Sequence, residues 1–189
     1  MVFVDNKGGY MLVYSAQSQI VLDTIAKEDI YYVKRRYITE KYGEVAAVML
    51  QAYDWFVIEM MKRVHKPDGA EYPVWNDIDK KYLYIGNDAK LLTLQVPNNE
   101  LILFDNHGWE RVLQMNYVGI NREDERIFDN MLESRGISTG SEVFLSPYYP
   151  AEKQKIIKSW SRIFNVTPEN ATRCATWKIE NTWIKKINR

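Results

Sequence analysis

Two short apolar runs, and the residues between and after them, constrain this chain more than any other stretch. Leu91–Val96 (LLTLQV) and Leu101–Phe104 (LILF) are rich in strand-compatible residues. Pro97, Asn98, Asn99 and Glu100 separate them with turn chemistry, since Pro presets φ and Asn tolerates positive φ. The pattern predicts a hairpin of two largely buried strands. Asp105, Asn106, His107 and Gly108 then break the second strand, and Trp109–Met115 follows as a helix. Asp105 therefore stands at a strand-to-helix junction. It serves there as a helix cap or as a binding group displayed by a rigid scaffold.

The remaining chain supplies more helices than strands. Residues 1–9 read as a lead with Gly8 and Gly9 as a hinge, and Tyr10–Tyr14 is a strand by residue type. Ser15, Gln17 and Gln19 open a helix through about Lys27, and Tyr31–Tyr42 is helical up to Gly43. Glu44–Val64 is the strongest helix, because Val45, Val48, Met49, Ala52, Phe56 and Met60 recur at spacings of three and four. Tyr53 and Trp55 widen its apolar stripe, and Lys62, Arg63 and His65 suit its C-terminal end. Tyr72–Trp75 and Tyr82–Ile85 read as short strands. Arg122–Leu132 is an amphipathic helix with Ile127, Met131 and Leu132 inward, followed by a polar loop from Ser134 to Glu142. Ala151–Phe164 is a helix with Ile156, Ile157, Trp160, Ile163 and Phe164 on its apolar face. Thr167–Asn170 is a turn, Arg173–Ile179 a strand, and Thr182–Ile187 a short terminal element. No repeat and no dividing linker is visible. The expectation is one α+β domain over residues 1–189, a curved, mainly antiparallel sheet with several packed helices.

Charge and cysteine usage narrow the chemistry. Lys plus Arg equals Asp plus Glu at 25 each, which argues against a general polyanion binder. From Pro150 onward nine basic residues face three acidic ones, so the C-terminal region is either a solvated surface that complements the acidic remainder or a basic face for phosphates or RNA. A single cysteine, Cys174, suits a reducing cytoplasm, and no run of about 18 apolar residues points to a membrane. The chain has no GxGxxG, GxxxxGK[ST], HExxH or GxSxG motif and only two histidines, His65 and His107. No metal site is expected, and no catalytic set is assigned. Asp105 and His107 remain a candidate acid–base pair, or a pair sharing a metal, beside the reading of His107 as a loop histidine. A Cys174–His107 dyad requires the fold to bring the two together.

Aromatic residues make 13% of the chain, with 13 Tyr and 6 Trp, enough to line a pocket for a planar ligand as well as a core. Trp55 and Trp160 lie on apolar helix faces and read as core, whereas Trp75 and Trp109 border loops. Arg63 reads as solvated, or as a partner for Asp105 or a phosphate.

The segments YPVW (72–75), LILFDNHGWERVL (101–113), SWSRIF (159–164) and ATWKIENTWIKKI (175–187) together resemble an uncharacterised bacterial and phage family, a domain of unknown function. The resemblance runs from about Tyr10 to Ile187, and the family's layout is similar to the ADP-ribosyltransferase-like fold. That similarity implies NAD or another nucleotide-like small molecule in a cleft lined by Tyr14, Tyr72, Trp75, Asp105 and Trp109, with Arg63 available to a phosphate. It implies transfer of ADP-ribose to a macromolecular target. The pattern places Gln and Glu on the late strand where this chain has Arg173 and Lys178, with Glu180 the nearest acid. A lysine there cannot stabilise an oxocarbenium ion. The alternative is a non-catalytic binding protein: a phage-type inhibitor engaging a partner protein, or a protein that sequesters a nucleotide signal.

Overall fold

Alternating burial along β1 (Tyr10–Ser18) sets the frame: Val13 and Ser15 are buried, while Tyr10 and Leu12 are exposed. The computed structural model describes residues 9–43, 46–83, 85–86, 88–166 and 171–188, so the lead before Gly9 and the turn at 167–170 lie outside the described residues. β1 runs directly into α1 (Gln19–Glu28), which buries Val21 and Ile25 and ends at Asp29 with φ 60°. β2 (Ile30–Tyr31) and α2 (Arg35–Tyr42) follow, the latter closed by Gly43. α3 (Ala46–Met61) is apolar on most of its surface and buries Ala52, Tyr53, Phe56 and Met60.

The sheet strands are β1, β3 (Val74–Asp77), β4 (Ala89–Pro97), β5 (Leu101–Asp105), β6 (Ala171–Thr176) and β8 (Ile184–Asn188). Their order is β5-β6-β3-β1-β4-β8, and every pair is antiparallel. β7 (Ile179–Glu180) pairs with β2 in a small second sheet. The remaining helices are α4 (Asn106–Leu113), α5 (Arg122–Glu133), α6 (Gly140–Leu145) and α7 (Pro150–Trp160), which starts on a proline whose missing N–H costs nothing there. The fold is thus α+β with a six-stranded antiparallel sheet and helices packed on both of its faces.

The expected hairpin does not form. β4 pairs with β1 and β8, β5 pairs among the described residues with β6 alone, and the Asn98–Glu100 turn carries the chain between the two parts of the sheet. The physical reason lies in the sheet's division. β1, β4 and β8 make one half, β3, β6 and β5 the other, and the registered contact joining them is Tyr14↔Asp77. Both halves bury apolar side chains in one shared cluster: Leu92, Leu94 and Val96 from one, Val74, Leu101 and Cys174 from the other, with Val21 and Ile25 of α1. That shared burial outweighs the local turn preference. Smaller expectations also change: Ser15 and Gln17 continue β1 rather than opening a helix, and Tyr31 lies in β2, with α2 starting only at Arg35. Lys80–Tyr82 is a single 3-10 turn rather than the start of a strand, and Ile127 points to solvent while Phe128 and Leu132 face inward.

The other core holds the aromatic residues. Phe56 packs at 4.8 Å from Trp75, 5.3 Å from Phe104 and 5.2 Å from Trp109, all steeply inclined ring pairs. Such pairs add about 0.5–1.5 kcal/mol each beyond their buried area. Trp160 is buried, its indole N–H donating to the Asn116 carbonyl at 2.8 Å, and Trp55 packs against it at 5.3 Å.

Candidate functional site

Register explains which side chains converge. Asp77 lies opposite Arg173, Trp75 opposite Ala175, and Phe104 opposite Arg173. Directly opposed residues share a face, so Trp75, Asp77 and Arg173 all project toward the aromatic core side. Beside the joint between the two halves of the sheet the fold leaves an opening. The opening is a cleft of about 910 Å³. Ala16 and Gln17 of β1 stand on one side, and Trp75, Asp77 and Arg173 form the floor. Tyr37, Lys41 and Tyr42 of α2 with Tyr53 of α3 form one wall. Asp105 and the first turns of α4, with Asn106, His107 and Glu110, form the other.

Asp77 is the site's most unusual group. Its side chain is 4% exposed, and its Oδ1 lies 3.2 Å from Arg173 Nε. Burial pushes the Asp77 carboxyl above its ordinary value, against the opposing pull of Arg173. The Arg173 Nε is itself buried without an aligned hydrogen bond, so the two charges attract without a well-directed N–H···O contact. Arg173 also reaches the Asn106 side-chain oxygen at 3.5 Å, tying β6 to α4. At the aromatic wall Tyr42 and Tyr53 hydroxyls lie 3.2 Å apart, and burial raises the Tyr53 phenol.

Of the six residues singled out from the sequence, Trp75 and Asp105 line this cleft. Trp109 is 3% exposed and sealed in the aromatic core. Tyr72 is equally buried, its hydroxyl bound to Asp54 and receiving the Arg35 guanidinium at 2.6 Å. Tyr14 sits at the joint of the sheet with Lys80 stacked 4.9 Å from its ring centroid. Arg63 pairs with Glu59 at 2.8 Å and covers the Phe164 ring. Those four lie outside the cleft lining, so of the five residues expected to share one hollow, Tyr14, Tyr72, Trp75, Asp105 and Trp109, it gathers two. Cys174 is fully buried in the other core cluster, where burial drives its thiol far above the usual range, so no dyad with His107 is built.

Asp105 does cap α4. Its carboxylate accepts from the backbone N–H of His107 at 3.3 Å and of Gly108 at 2.9 Å. Asp105→Ala is expected to cost about 1 kcal/mol in urea denaturation, as loss of such a cap does. An unmoved midpoint would show the cap to be without energetic weight. Gly108 is required beside it, because a Cβ there would meet Ile163 Cγ2 at 2.8 Å.

Sequence reasoning missed Asp77, Arg173, Gln17, Lys41 and Glu110 as cleft residues. One local signal was present: in YPVWND, Trp75 and Asp77 are two apart and therefore share a strand face.

The chain belongs to a family described as "Domain of unknown function (DUF3841)", whose profile matches residues 12–185. No curated protein and no solved structure matches the chain. No described helix is long and apolar enough to cross a membrane.

Proposed function

We propose that the cleft binds a nucleotide-like ligand, with NAD as the first compound to test. The observation that carries this is the convergence, in one hollow of about 910 Å³, of aromatic side chains with a guanidinium and a buried carboxylate. Such a volume lies within the range of small-molecule sites. Trp75, Tyr37 and Tyr42 supply rings beside which a planar base or nicotinamide would pack. Arg173 offers a fork for a phosphate, and Gln17 an amide for a base edge or carboxamide. Asp77 and Asp105 offer acceptors for ribose hydroxyls.

The enzymatic form of this reading is ADP-ribose transfer to a macromolecule. It is favoured by one position: although the late strand carries Arg173, the neighbouring strand places Asp77 directly opposite it, so the floor does contain an acid. Lys185 and Lys186, exposed on β8, belong to the basic C-terminal region that would meet a nucleic-acid or protein target. The non-catalytic form, in which the cleft only holds its ligand, is favoured by the Asp77–Arg173 contact, which engages that acid. Consumption of NAD separates the two.

A thermal-shift panel of NAD, ADP-ribose, AMP and nicotinamide tests the binding reading. A true ligand at a hundredfold over its dissociation constant adds about 2.7 kcal/mol of stability. A panel in which none of the four shifts the melting temperature would refute nucleotide binding at this cleft.

A further inference from the structure

We propose that His107 is the proton-accepting group of the cleft and that the buried carboxylate of Glu125 positions it. The inference rests on the ADP-ribose-transfer form of the reading above and adds the proton step to it. His107 Nε2 lies 2.9 Å from Glu125 Oε2. A carboxylate at that distance accepts the Nε2–H and so selects the tautomer whose Nδ1 is a bare acceptor. Glu125 is held for this role. Its side chain is 8% exposed, its Oε1 accepts from the Gly119 N–H at 3.3 Å, and Arg111 Nε lies 3.6 Å away. The backbone N–H of His107 is fixed by the Asp105 cap.

The placement of His107 supplies the second argument. Asp105 and His107 line both the main cleft and a smaller cavity of about 390 Å³ bordered by Gly119, Asn121 and Arg162. His107 therefore borders both hollows, the larger assigned to the nucleotide and the smaller to a hydroxyl-bearing acceptor or water. The acceptor O–H gives its proton to His107 Nδ1. Its oxygen bonds to the anomeric carbon of the nicotinamide ribose. The bond from that carbon to the ring nitrogen breaks with its electron pair on nitrogen, and neutral nicotinamide leaves.

The test uses the full chain with NAD as probe, in wild type, His107→Asn and Glu125→Gln, each checked for cooperative thermal unfolding. Calorimetry reads NAD affinity and chromatography reads nicotinamide release. The expected result is NAD affinity within about threefold in all three, with release slowed about 100-fold or more in His107→Asn, the usual scale of lost general-base catalysis. Glu125→Gln should slow release less, and imidazole nitrogen-15 spectra should show its His107 leaving the single Nε2–H tautomer. Wild-type release by His107→Asn, or a wild type that binds NAD and releases no nicotinamide, overturns the proposal while leaving the binding reading intact. A folded wild type that does not bind NAD removes both.

Discussion

Replacing Trp109 with Ala is expected to cost about 3–5 kcal/mol of stability, the range for truncating a buried large aromatic. The indole is 3% exposed, and its ring centroid lies 5.7 Å from Tyr53, 5.2 Å from Phe56, 5.0 Å from Trp75 and 6.3 Å from Phe104. Removing it leaves a void bordered by four rings held on α3, β3 and β5, elements too constrained by the sheet and by each other to collapse fully into it. The melting temperature should fall on the order of 10 °C in a chain of this size. Trp109→Phe should recover more than half of the loss, because a phenyl ring restores most of the edge-to-face contacts. A Trp109→Ala protein that melts with wild type would place this residue outside the core and return it to the ligand-binding candidates.

Arg173→Met is expected to destabilise the protein by about 3 kcal/mol at neutral pH, because it strips the facing cation from a buried carboxylate. The pH dependence gives the effect its signature. The Asp77 carboxyl is raised in the folded state, so folding binds a proton more readily than the unfolded chain does. Its favourable contribution is fully present below the unfolded carboxylate value of 3.8 and is lost as pH rises through the higher folded value. In wild type Arg173 opposes that rise. In Arg173→Met that opposing pull is gone, the folded value climbs further, and the window of lost stability extends upward. Urea denaturation should therefore show the variant near wild type at about pH 4 and well below it at about pH 8. Asp77→Asn in the Arg173→Met background should flatten the profile. A loss independent of pH would assign Arg173 a packing role instead.

Much of the fold was legible because helix periodicity is a local property. The stripe through Ala52, Phe56 and Met60 and the cap at Asp105 both follow from residues within a few positions of each other. The hairpin expectation failed for the opposite reason. Pro97 to Glu100 does make a tight turn, but the partners of β4 and β5 are chosen by which apolar faces meet across the chain, through Val13, Val74 and Cys174. The site divides the same way. Asp105 and Trp75 carried local marks, a junction and a loop border. Asp77 and Arg173 matter because a register between β3 and β6 sets them opposite each other, and neither residue's neighbours announce that pairing. Trp109 and Tyr72 are aromatic residues beside loops that the packing of α3 seals from solvent, a difference their flanking residues do not encode.

Calorimetric titration of NAD into wild type and into Tyr37→Ala tests the central claim most directly. Tyr37 lines the cleft yet is 37% exposed, so its loss spares the core. Saturable one-to-one binding by wild type, weakened about tenfold or more in Tyr37→Ala, is the predicted result, the scale of a lost base-stacking ring. Absence of heat with wild type, or equal affinity in both proteins, would contradict the assignment of this cleft as the nucleotide site.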